Sequence, residues 1–186
     1  MNMIHRSLTV GVVAALVGVA VAADEKETQT VKADALSFKA PKAWKKETPK
    51  SSMRKAQLKV DPVKGDDEPA ELVVFAFPNG AGSVESNIDR WEKQFIDADK
   101  KTPKAKVEKK KGVNVDVTRV EVSGHYVAAV SPGAAEKNDK PNYRLLGAIV
   151  ETKDTGYFFK LTGPEKTVAE ASKSFDALIE SMKLDK

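Results

Sequence analysis

Apolar and polar residues along the chain separate it into a leader and one folded unit. Residues 8–21 are an unbroken run of apolar and small residues. From residue 24 the chain turns polar, and residues 23–33 hold few large apolar side chains, the composition of a disordered lead-in. Short alternation at Leu36-Ser37-Phe38 predicts a first strand. Pro41 and Pro49 bracket Trp44 and exclude helix there. Over residues 55–60, Ala56, Leu58 and Val60 alternate with Lys55, Gln57 and Lys59, which predicts a strand with one wet face. Residues 61–69 are rich in Asp, Pro and Gly and predict a loop. Residues 71–77 are apolar on both faces and predict a central strand.

Helical spacing follows. Ser83 is a candidate N-cap, and Val84, Ile88, Trp91 and Phe95 recur along a helix drawn over residues 84–97. Their arc is narrow, about 60°. Residues 104–111 and 113–117 then predict a hairpin turning near Gly112. Val113, Val115 and Val117 stand in one phase, Val120 and Val122 in the other, so a β-bulge is expected near residues 118–119. A polar loop covers residues 131–142. Residues 143–150 are apolar on both faces, residues 157–161 form a last strand, and Thr167-x-x-Glu170 spells a capping box. Val168, Ala171, Phe175, Leu178, Ile179 and Met182 then mark a helix with a wider apolar arc, about 100°. The fold class is therefore α+β: a central antiparallel sheet of about six to seven strands with helices on both faces, in one domain over residues 34–184.

The first 22 residues have the layout of a signal peptide: His5 and Arg6, then the apolar run, then Ala20-Val21-Ala22. The run is shorter than the ~20 apolar residues of a membrane span. Cleavage near Ala22 would export the chain to the periplasm or the extracellular space, with no membrane span left in it. Removing 22 of the 186 residues leaves 164, lowers the formal charge from +4 to +3, and leaves His125 as the one histidine. The chain has no cysteine, which excludes disulfides, thiolate metal sites and a cysteine nucleophile.

Candidate chemistry is thin. Ser123 and Glu121 share a strand face with His125, but each two-residue step is about 6.6 Å. A serine–histidine hydrogen bond needs about 2.6–3.2 Å, so these residues form no triad. One histidine cannot build a zinc site, and the acidic loop with Asp61, Asp66, Asp67 and Glu68 lacks the spacing of a calcium loop. Neither a metal nor a cofactor is expected. Lysines 104, 106, 109, 110 and 111 are interrupted by Glu108 and lack interleaved aromatics, so nucleic acid is not the expected partner. They suit a solvated hairpin that protects an edge strand. Trp44 either caps the core or lines a groove. His125, Tyr126, Tyr143 and Arg144 flank the 131–142 loop, the expected variable surface.

Several motifs resemble one known superfamily. Phe38-x-x-Pro41-x-x-Trp44 opens the domain. Gly80-x-Gly82 precedes a helix with Trp91-x-x-Gln94-Phe95, and Tyr157-Phe158-x-Lys160-Leu161-x-Gly163-Pro164 leads into the last helix. Over residues 36–182 the chain resembles small exported bacterial members of the PsbP-like/Mog1-like superfamily. The resemblance implies a central antiparallel sheet with helices on both faces. It also implies an accessory or docking role rather than an enzyme, with a protein partner in the cell envelope. No binding residue carries over. The alternative is a small-ligand or envelope-lipid carrier with a pocket between sheet and helix.

Overall fold

The computed structural model describes residues 27–49, 51–131 and 133–185. Residues 1–22, read as a signal peptide, lie outside the described residues. The strands are β1 (Thr28–Ala33), β2 (Leu36–Pro41), β3 (Lys45–Lys46), β4 (Arg54–Val60), β5 (Ala70–Pro78), β6 (Phe95–Ile96), β7 (Lys106–Lys111), β8 (Asp116–Tyr126), β9 (Lys140–Glu151), β10 (Thr155–Pro164) and β11 (Lys183–Leu184). The helices are α1 (Val84–Glu92) and α2 (Glu165–Glu180). An eight-stranded antiparallel sheet runs β3-β4-β5-β10-β9-β8-β6, with β7 paired to β8 off that path. A three-stranded sheet, β1-β2-β11, joins both ends of the domain. The α+β class is as expected, with more strands than the pattern predicts.

The two faces of the large sheet carry separate cores. Leu146, Ala148 and Val150 of β9 alternate with Leu145 and Ile149, as do Tyr157, Phe159 and Leu161 of β10 with Phe158. The first set packs under α2 and the small sheet, where Phe38 meets Phe159 edge-on at 5.1 Å. The second set packs under α1, around Trp91 and Phe95. α2 has 16 residues and α1 has nine, so the α1 side is less fully covered. Gly147 of β9 lies directly beneath Trp91, where an added Cβ would stand 2.3 Å from Cζ3 of the indole. The indole therefore rests on bare backbone.

Four local expectations are corrected. The disordered lead-in through residue 33 is, from Thr28, strand β1, with Val31 and Ala33 buried. Its hairpin to β2 turns at Asp34, which adopts φ 52° without the glycine that usually marks such a turn. The expected bulge near residues 118–119 is absent, because β8 pairs with β9 without a break from Thr118 to Gly124. Arg119 occupies a core-facing place on the α2 side and satisfies it with Asp176, Ser172 and Glu121, so the valines only look out of phase. The break falls at residues 124–126, where Gly124 adopts φ 151° and β6 comes close. α1 ends at Glu92 rather than Asp97, and Phe95 begins β6. Finally, Thr167 is not an N-cap. α2 starts at Glu165, and Asp66 Oδ2 accepts from both the Thr167 N–H and its hydroxyl, at 2.8 and 2.7 Å.

Candidate functional site

The incomplete cover of the α1-side face leaves a groove, and its floor is Lys160. This lysine sits mid-strand in β10, opposite Val73 of β5 on one side and Gly147 of β9 on the other. It is half-buried, between Phe159 and Leu161, which face the other core. A cavity of about 290 Å³ opens between α1 and the sheet, walled by Phe75, Phe77, Trp91 and Phe158, with Asn87, Arg90 and Gln94 contributed by α1 and its C-terminal turn. A second hollow of about 120 Å³ adjoins it, lined by Arg54, Glu71, Val73, Tyr126 and Thr162. Phe75 and Lys160 line both.

The electrostatics of this floor are unusual for a sheet face. Lys160 Nζ donates to Gln94 Oε1 at 2.8 Å, a neutral acceptor. Burial pushes the Lys160 ammonium down to about 8, and the neighbouring Arg54 and Arg90 add to the shift. Arg54 stacks over the Phe75 ring at 5.9 Å and reaches Gln57 at 2.9 Å and Glu71 at 3.5 Å. Gln57 also donates to Glu71, so that carboxylate is shared. Arg90 projects from the exposed side of α1 at the mouth.

The structure brings two of the sequence candidates, Tyr126 and Tyr143, together beside the smaller hollow, which Tyr126 lines. Tyr126 stacks on Tyr143 with ring centroids 5.9 Å apart and 14° between planes. The Tyr143 hydroxyl donates to Glu68, which also accepts from Lys140. These two donors hold the Glu68 carboxyl below its ordinary range, while burial, then Glu68, pushes the Tyr143 phenol up. Burial and Glu71 raise the Tyr126 phenol likewise. His125 pairs with Asp139 through Nε2, and among the described residues no hydroxyl is hydrogen-bonded to it. The serine–histidine arrangement is not formed.

Arg144 and Trp44 lie elsewhere. Arg144 points to the α2 side, paired with Glu165 at 2.6 Å and Glu121 at 3.4 Å. Trp44 is 5% exposed within the α2-side core, so it caps that core rather than lining the groove. The acidic loop is committed to structural pairs: Asp61 to Lys45, Asp66 to α2, Glu68 to Lys140 and Tyr143. The basic strand is partly neutralised through Lys106–Glu108, Lys110–Glu108 and Lys111–Asp116. Among the described residues no three His, Asp or Glu side chains gather to hold a metal, and no helix is long and apolar enough to cross a membrane. A roomier groove of about 460 Å³ runs between α2 and the β1–β2 hairpin. Its wall includes Lys39, Lys173, Ser174 and Ala177 but no aromatic ring, and Ser181 there already accepts from the Lys39 N–H at 2.8 Å. The Lys160 groove has the richer chemistry. Sequence pattern overlooked it, although a lysine within an apolar central strand is a visible signal.

No protein-family profile and no curated protein sequence matches the chain. Among solved structures it is similar to the solution structure of cyanobacterial PsbP (CyanoP) from Synechocystis sp. PCC 6803. The two share 15% identity and a TM-score of 0.52, with 92% of this chain and 98% of that chain covered. The strand order, the two-sided core and this likeness together give one conclusion: the chain has the PsbP-like fold.

Proposed function

We propose that the chain is an exported accessory domain that works by binding rather than catalysis, with the Lys160 groove as its binding face. The observation that carries this is the half-covered α1 side of the sheet, where aromatic rings and a half-buried ammonium line one hollow. Surfaces of that composition mark binding sites more often than bare structure. The PsbP-like fold supports the accessory role by analogy of fold. Export rests on the signal-like pattern of residues 1–22.

The groove serves either a protein partner in the cell envelope or a small ligand. Its depth favours the ligand, since the two hollows of about 290 and 120 Å³ reach the lower range of small-molecule sites, roughly 300–1,000 Å³. The test places a photo-cross-linking benzoylphenylalanine at Phe77 or, as a control, at Glu170 on the far helix, in chain recovered from the envelope of the producing cell. Intact mass should show a chain that starts at Ala23 and an adduct formed from position 77 only. Retention of residues 1–22 removes export. Equal adducts at both positions, or none at 77, remove the groove as the binding face.

A further inference from the structure

We propose that the groove at Lys160 binds a small organic monocarboxylate, its apolar body against Phe75, Phe77, Trp91 and Phe158 and its carboxylate on Lys160. This rests on the groove being the binding face and goes further by naming the chemistry of its occupant. Among the described residues, three cations line the two hollows: Arg54, Arg90 and Lys160. Glu71 is the acid that lines them among the described residues, and it is already engaged by Arg54 and Gln57. Lys160 has a neutral amide as its hydrogen-bond partner, and it lines one hollow together with phenyl and indole rings. A half-buried ammonium without a carboxylate is costly, and a bound carboxylate would supply the counter-charge. Glu71 disfavours a more highly charged head, since a dianion would face it across the smaller hollow. The four rings favour a flat or chain-like apolar body over a sugar or a peptide backbone.

Three polar groups around Lys160 fix the expected pose. Gln94 can turn its amide N–H toward an incoming oxygen once Lys160 leaves its Oε1 for the carboxylate. Arg90, exposed at the mouth, guides the anion in and contributes less to the bound state. Arg54, tied to Gln57 and Glu71, keeps the sheet side of the groove cationic.

Isothermal titration calorimetry with 4-phenylbutyrate and decanoate, each beside its primary amide, tests the inference on the purified chain. At pH 7 one of the acids should bind at least about tenfold more tightly than its amide, the discrimination expected of one charge-assisted contact. Which acid binds better separates an aromatic from an aliphatic body. Lys160→Gln should bring acid and amide to equal affinity. Arg90→Gln, at an exposed helix position where folding is not at issue, should weaken the acid about threefold by removing a mouth charge. In nitrogen-labelled protein the Gln94 side-chain amide and the Trp91 indole N–H should shift on addition of the acid. Equal binding of acid and amide by the unaltered chain overturns the inference, as does the absence of saturable binding of either acid. Neither result touches the wider reading, because cross-linking from Phe77 reports a binding face whatever its occupant.

Discussion

Lys160 stands where its neighbours in sequence and in register, Phe159, Leu161, Val73 and Gly147, call for an apolar side chain. Its charge is opposed by burial and by Arg54 and Arg90, while Glu71 and the raised phenol of Tyr126 also face it across the sheet. The ammonium therefore loses its proton near pH 8 in the fold and near its ordinary 10.5 in the unfolded chain. Between those values the unfolded state binds more protons, so this residue's contribution to stability rises with pH across that window and is flat below it. Lys160→Met should be more stable than the parent at pH 7.5, and its advantage should shrink by pH 10, as read from urea midpoints. An advantage that grows with pH would contradict the assignment. The apolar pattern marked residues 71–77 and 143–150, the two neighbours of β10, as strands with two covered faces. It could not show that α1 stops short of covering the Lys160 face, because cover is a property of two elements together.

Much of the element plan was legible. Ser83 caps α1 as expected, through a 3.2 Å bond from the Ser86 N–H. The narrow apolar stripe of α1 matches a helix that covers little of the sheet. Misreadings arose where a polar side chain from far along the chain met a local need. Arg119 hid the regularity of β8 by pairing with Asp176 of α2. Asp66, 101 positions before Thr167, supplies the cap that a local motif suggested Thr167 would give. Asp66→Ala should cost about 1 kcal/mol, the usual loss for a helix cap, and lower the thermal midpoint. Asp67→Ala, exposed and one residue away, should leave it unchanged. If both variants melt alike, Asp66 is not the cap.

At the scale of the molecule, two cores share one sheet, and the α2-side core depends on strands from both termini. Val31 and Ala33 of β1 are buried there with Phe38 of β2 and Met182 after α2. The polar look of residues 28–33 concealed this, since the other positions of β1 are Thr, Gln and Lys. A chain beginning at Asp34 should therefore be less stable than one beginning at Glu27, by at least about 2 kcal/mol for Val31 alone. Urea unfolding of the two chains measures the difference, and equal midpoints would show that β1 adds nothing.

The small sheet also has a consequence in time. β2 is held on one side by β1 and on the other by β11, where Lys183 and Leu184 pair with Ser37 and Leu36. Asn114 in the β7–β8 turn bonds both the N–H and the carbonyl of Leu184. Contacts of such long sequence separation form late, after the loop between them has closed. The pairing of Lys183 with Ser37, 146 positions apart, is thus the closing step of the small sheet. Until β11 docks, β2 lacks one neighbour and Asn114 lacks its two bonds to Leu184.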